Sequence, residues 1–262
     1  MADSTNGLRV AQSGPVVTLT LDRPEARNAV NDGLRRELIE TLGRLNADES
    51  VGAVVLTGAP PAFCAGGDIK GMRARLEGPQ GQVGFNGWKR QKQTHRLITA
   101  LHSLDKPTIA AVNGAAAGLG VDLALACDFV LAGPEASFTM AYLKRGLIPD
   151  GGGLYFLPRR VGLARAKELI YSARPVSTEE ALALGLADRA TEGDTVESAQ
   201  VWATELAGNG GIAMALAKSI LNRSLDLPVE QVFALGGEAQ AICYATDEHR
   251  SAVQAFLDKK SR

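Results

Sequence analysis

Cysteine is scarce and scattered. Cys64, Cys127 and Cys243 are widely spaced, odd in number and form no CxxC pair, which argues against a disulfide framework or a zinc site and fits a reducing cytoplasm. Neither sign of charge is in excess: 28 Lys and Arg face 29 Asp and Glu, for a net charge of -1, so a general electrostatic grip on nucleic acid is not expected. Long apolar runs are missing. The most apolar stretch, Ala115 to Ala132, contains Asp122 and Asp128, which makes it a poor membrane span and a good buried strand–helix–strand. The opening Met-Ala-Asp-Ser-Thr-Asn-Gly has neither the basic start nor the apolar core of a signal peptide, so a cytoplasmic protein is expected. No GxxxxGK[ST] phosphate loop and no GxSxG nucleophile elbow occurs. Gly118-x-Gly120 starts a dinucleotide fingerprint but has Leu123 where the third glycine belongs.

What is present is an ordinary globular composition of 262 residues, 45% of them apolar, with glycine in surplus at 29. A chain of this length buries enough surface to need no metal or disulfide staple. Leu8–Ala11 and Val16–Leu21 flank Ser13-Gly14-Pro15 and predict a hairpin. From Asn31, Leu34, Leu38, Ile39, Leu42 and Leu45 recur at helical spacing. Ala53–Thr57 is then a short buried strand, Gly58 to Gly67 a loop, and the glycine-broken stretch from Gly78 to Gly87 irregular and partly mobile. Trp88 to Ser103 predicts a helix, Thr108–Val112 a strand, Gly114–Gly120 a small-residue turn, the segment to Ala126 a helix, and Phe129–Ala132 a strand. This alternation defines an α/β class with parallel pairings. Beyond Pro158 the pattern is mostly helical: Val161–Tyr171, Ser177–Leu184 with a Ser177/Glu180 capping box, Thr195–Leu206, Ala213–Ser224, Val229–Tyr244 and Asp247–Lys260. Residues 1–200 are therefore expected to form an α/β core and 201–262 a helical appendage.

Two segments follow buried strands and are rich in small residues. They are Ala62-Phe63-Cys64-Ala65-Gly66-Gly67-Asp68-Ile69-Lys70 and Asn113-Gly114-Ala115-Ala116-Ala117-Gly118-Leu119-Gly120-Val121-Asp122-Leu123. Small residues let another group approach the backbone. A helix opening at each would leave unpaired N–H groups, and two such donors aimed at one point make an oxyanion hole. Packing of helix on strand is the plainer reading of either loop taken alone.

Together these segments resemble the crotonase, or enoyl-CoA hydratase/isomerase, superfamily, and the resemblance runs nearly end to end. It includes Leu21-Asp22-Arg23-Pro24, Arg27-Asn28-Ala29, Phe63–Lys70 and Lys106-Pro107 through Asp128. It continues through Phe138, Gly146-Leu147-Ile148-Pro149-Asp150-Gly151-Gly152, Leu157-Pro158-Arg159 and Ala255-Phe256-Leu257-Asp258-Lys259. The resemblance implies a spiral of ββα units with C-terminal helices that assemble trimers or paired trimers. It implies an acyl-CoA substrate, with no metal and no other cofactor, whose carbonyl oxygen meets the N–H groups of Gly67 and Leu119. By motif position Arg27, Ala29, Ala65, Asp68, Ile69 and Lys70 would bind CoA, and Phe256 and Lys259 would reach a neighbouring subunit's nucleotide. Lys70 as a solvated helix residue and Asp68 as an N-cap are the structural alternatives.

The two glutamates of a typical hydratase would fall at Asp122 and Tyr142, one shortened and one not a carboxylate at all. Asp150, in the Ile148–Gly152 string, resembles the ring-opening isomerase branch of aromatic-acid degradation. The expectation is that Asp150 shuttles a proton and Asp122 is a second acid/base or orienting group, with hydration as the alternative. As an ordinary turn residue, Asp150 would instead cap the next helix. His95 and His102 have no motif around them and are expected to be satisfied helix residues. A non-catalytic member that binds CoA or RNA is the rival of a different class.

Overall fold

A computed structural model describes residues 6–77, 79–209 and 211–260. Strands β1 (Leu8–Ser13) and β2 (Val16–Leu21) form the expected hairpin, followed by α1 (Asp32–Ala47). Asn31 starts α1 by accepting the Leu34 N–H at 2.8 Å. Next come β3 (Ala53–Gly58), β4 (Ala62–Cys64), α2 (Ile69–Leu76), α3 (Gln80–His102), β5 (Thr108–Val112), β6 (Ala115–Ala117), α4 (Leu119–Ala126), β7 (Phe129–Ala132) and β8 (Ser137–Thr139). The rest is α5 (Gly153–Val161), α6 (Leu163–Ser172), β9 (Pro175–Ser177), α7 (Thr178–Leu184), β10 (Arg189–Ala190), α8 (Thr195–Ala207), α9 (Gly211–Ser224), α10 (Val229–Tyr244) and α11 (Asp247–Lys260).

Two sheets organise these elements. One runs β1-β2-β3-β5-β7-β10, parallel except for the hairpin, and the other runs β4-β6-β8-β9. Each of β3, β5 and β7 continues directly into β4, β6 and β8 of the second sheet, and then into helix. That is a ββα unit repeated along the chain. The larger sheet's central strands β2, β3, β5 and β7 are covered on both faces and read as largely continuous apolar runs, while the edge strands β1 and β10 are mostly exposed. The row Leu19–Leu56–Ala110–Val130 faces the main core, while Val55 and Ile109 face Trp202 on α8.

Several local expectations are corrected. The loop Gly58–Gly67 contains strand β4, and the turn Gly114–Gly120 contains β6, both too short to show a pattern by themselves. Helix α3 begins at Gln80, well before Trp88, despite Gly81, Gly84 and Gly87; packing against α1 and α2 outweighs the weak propensity of glycine. Gly78 lies outside the described residues. Gly162, at φ 77°, divides the helix expected over Val161–Tyr171. The boundary drawn at residue 200 falls inside α8, which packs on the sheet. Helix α9 is tied to the core through Lys218, whose Nζ donates to Asp128 Oδ2 at 2.7 Å and to the Lys106 carbonyl at 2.9 Å. Helix α10 packs on α9 and buries no residue.

Candidate active site

The first small-residue loop is held by backbone pairing to residues 27–30. Ala65 N donates to the Arg27 carbonyl at 2.9 Å, Val30 N to Gly66 O at 2.8 Å, and Asp68 N to Val30 O at 3.1 Å. In this isolated parallel bridge the N–H of Gly67 points away from its partner strand and donates to no described residue. In the second loop, Gly118 N is taken by the Thr139 carbonyl at 2.9 Å. Leu119 follows as the first residue of α4, and its N–H also has no partner among the described residues. The loops touch: a Cβ on Gly66, which sits at φ +96°, would lie 2.6 Å from the Ala117 carbonyl and 3.4 Å from Leu119 N. Gly67 and Leu119 line one cavity of about 120 Å³, together with Met72, Arg90, Gln91, Thr94, Tyr142, Leu147, Ile148 and Asp150.

The two aspartates are placed differently. Asp122 is fully buried and accepts a short hydrogen bond from the Tyr142 hydroxyl through Oδ2. Its Oδ1 is buried with no well-formed hydrogen bond, facing the backbone N–H of Gly153 at the start of α5. Burial, chiefly, raises the Asp122 carboxyl from 3.8 to about 7, a shift that Tyr142 opposes and the Asp150 charge reinforces. Gly151 closes over the pair, since a Cβ there would lie 2.5 Å from Asp122 Oδ2 and 3.2 Å from the Tyr142 hydroxyl. Burial, and then the neighbouring Asp122 carboxylate, keep the Tyr142 phenol protonated.

Asp150 reaches the cavity. Its side chain does not cap α5, whose N-cap is Gly152 without a side-chain bond. Burial raises its carboxyl above the usual range, while its own backbone N–H, His95 and Arg90 pull it back. His95 was expected to be a satisfied helix residue; its Nε2 lies 3.1 Å from the Asp150 carbonyl and so pins the turn that carries Asp150. His102 meets Phe156 edge-on at 4.9 Å.

The expected CoA positions lie on the first small-residue loop and the segment it pairs with, Ala65 N donating to the Arg27 carbonyl. Arg27, Ala65, Ile69 and Lys70 are exposed, and Ala29 is buried. Asp68 is engaged structurally: Oδ1 accepts the Lys70 N–H at 2.9 Å at the start of α2, and Oδ2 pairs with Arg23 at 3.1 Å. Phe256 is exposed on α11 and does not line the cavity, and the side chain of Lys259 lies outside the described residues. Arg90, Gln91 and Thr94, which line the cavity, were not singled out from sequence. Among the described residues no cluster of His, Cys, Asp or Glu could hold a metal, and no helix is long and apolar enough to cross a membrane.

Repeated ββα units feeding two sheets, with a cavity between their loops, define the α/β crotonase fold. The family model for enoyl-CoA hydratase/isomerase matches residues 11–262, and the chain belongs to that family. It is 36% identical to a 1,2-epoxyphenylacetyl-CoA isomerase from Escherichia coli, over 94% of this chain and 93% of that protein. It is 32% identical to a short-chain-enoyl-CoA hydratase from Clostridium acetobutylicum, over 97% of this chain and 96% of the other. The crystal structure of an enoyl-CoA hydratase/isomerase from Cupriavidus metallidurans superposes with a TM-score of 0.90 at 38% identity, covering 98% of this chain and 96% of that one.

Proposed function

We propose that this enzyme moves a double bond in an enoyl-CoA by shuttling one proton, rather than adding water. Relatives divide between hydratase and isomerase, so the preference rests on the cavity. Asp150 is the one carboxylate among the described residues that lines it, while Asp122 is sealed behind Tyr142 and Gly151. Hydration calls for a base to activate water and an acid to protonate carbon. Here the second group at the cavity is a protonated phenol already donating to Asp122.

In a 3-enoyl-CoA, the Asp150 carboxylate takes a proton from C2. The C2–H electron pair moves into the thioester, and the oxygen that gains charge receives the N–H groups of Gly67 and Leu119. Such a hole acts on charge that develops during the reaction, and one donor is worth about 100–1000-fold in rate. Asp150 then returns the proton to C4 as the double bond shifts to C2=C3. Asp122 orients the Tyr142 hydroxyl.

The CoA portion would lie along Arg27, Ala29, Ala65, Asp68, Ile69 and Lys70. This chemistry needs no metal, flavin or nicotinamide. Exposed Leu221, Phe233 and Tyr244 on α9 and α10, with Leu225 just after α9, favour self-association, a trimer or paired trimers, with Phe256 and Lys259 near a neighbour's nucleotide. A cytoplasmic location accords with the reduced cysteines.

The test pairs a 3-enoyl-CoA with a 2-enoyl-CoA and follows the conjugated thioester absorbance. Gain from the first with little loss from the second is the expected result. Loss from the second alone would establish hydration and remove the role given to Asp150.

A further inference from the structure

We propose that His95 is the positioning residue of the proton shuttle: from α3 its ring holds the Asp150 carbonyl, and so sets where the Asp150 carboxyl stands in the cavity. This rests on the reading of Asp150 as the shuttle. His95 Nε2 and the Asp150 carbonyl oxygen are 3.1 Å apart, and the bond joins residues 55 apart in sequence. A carbonyl only accepts, so Nε2 carries the proton. The neutral Nε2–H tautomer and the imidazolium both supply it, and the bond therefore outlasts titration of the ring.

The backbone bonds of the turn that carries Asp150 are local. Leu147 N donates to the Tyr142 carbonyl at 3.1 Å, Asp150 N to the Ile148 carbonyl at 2.8 Å, and Leu154 N to the Pro149 carbonyl at 3.2 Å. Leu147 and Ile148 are 44% and 60% exposed, so packing holds that side of the turn weakly, whereas Pro149 is buried. Gly152 abuts α3, where a Cβ would lie 3.5 Å from Ile98 Cγ2. Pro149 and Gly152 thus seat the turn on either side of Asp150, and His95 takes the carbonyl of the Asp150–Gly151 peptide between them.

The support behind His95 is rigid. Thr94, Leu97, Ile98 and Leu101 of α3 are buried. Arg90, Gln91 and Thr94 of the same helix line the cavity together with Leu147, Ile148 and Asp150. A bond from a packed helix to the backbone of the shuttle ties these two walls at a fixed distance. Burial raises the Asp150 carboxyl, and the charge of His95 draws it back. The reaction depends on this placement. One carboxyl takes a proton from C2 and returns it to C4, so it must reach two carbons from a single anchor. Displacement of about 1 Å at such a group costs about 100-fold in rate. A single hydrogen bond adds only modestly to net stability, so its removal should read in turnover rather than in unfolding.

Steady-state isomerisation of a 3-enoyl-CoA tests this in the full-length wild type, His95→Leu and His95→Gln, on the high-pH plateau of the rate. Gln keeps an N–H donor and carries no charge. His95→Leu should lower kcat about 10- to 100-fold with KM and the midpoint of thermal unfolding little changed, and His95→Gln should recover most of that loss. In an Asp150→Asn background His95→Leu should add no further loss, because it acts through Asp150. Undiminished kcat in His95→Leu overturns the inference, and so does an equal loss in His95→Leu and His95→Gln. A rise in KM at constant kcat also overturns it, placing His95 on substrate binding. Losses that multiply in the double variant overturn it as well, since His95 would then act apart from Asp150. If wild type converts no 3-enoyl-CoA, the isomerase reading fails and the role of His95 fails with it.

Discussion

Replacing Asp122 with Asn should flatten the dependence of stability on pH between about pH 4 and 7. Asp122 is fully buried, and its carboxyl rises from 3.8 to about 7 on folding, with burial as the main cause. The folded chain therefore binds this proton more tightly than the unfolded chain. The resulting stabilisation is complete below the unfolded value and is withdrawn as pH rises through the folded one. At 1.36 kcal/mol for each tenfold change in proton affinity, the span corresponds to about 4 kcal/mol. Asn keeps a carbonyl to accept the Tyr142 hydroxyl but cannot titrate. Urea denaturation at about pH 4.5 and pH 8, at one protein concentration, measures the difference. Wild type should lose about 3 kcal/mol more than Asp122→Asn across that interval, other titrating groups being common to both. Superimposable profiles would show that Asp122 does not hold a proton in the folded core.

Asp150→Asn should lower isomerisation by about 100- to 10,000-fold while CoA thioester affinity is retained, as measured by steady-state kinetics and calorimetry. Because Asp150 must be ionised to accept the proton and its carboxyl is raised, the wild-type rate should fall with decreasing pH at a value above the usual carboxylate range. Gly66→Ala would push a methyl to within 2.6 Å of the Ala117 carbonyl at a positive φ; misplacement of Gly67 should then show as a loss in kcat larger than any rise in KM. Lys218→Met leaves Asp128 partly buried without its cation and should cost about 3–5 kcal/mol in thermal or urea unfolding.

Much of the fold was legible because periodicity reports burial. The leucines of α1 and the strands Val16–Leu21 and Thr108–Val112 occupy core positions read directly from their spacing. The capping role of Ser177 was equally local, its Oγ accepting the Glu180 N–H at 3.3 Å. Strands β4, β6 and β8 were missed because three residues carry no period, and their pairing partners are remote in sequence. Arg90 left a faint signal. It continues the helical stripe of Thr94, Leu97, Ile98 and Leu101, a cation where the pattern calls for an apolar residue.

The sequence by itself determined the strand–helix alternation, the helical C-terminal region and the two small-residue loops, since each depends on neighbours within a few residues. Only the tertiary structure decided that Gly67 and Leu119, whose N–H groups donate to no described residue, line one cavity, because that requires two parallel strands of the smaller sheet to lie side by side. It also decided which aspartate faces the cavity. A carboxylate's orientation is set by what packs on it, and for Asp122 those groups are Tyr142 and Gly151, brought over it by a turn twenty or more residues away. The same packing leaves Asp150 exposed to the cavity and turns Arg90 toward it.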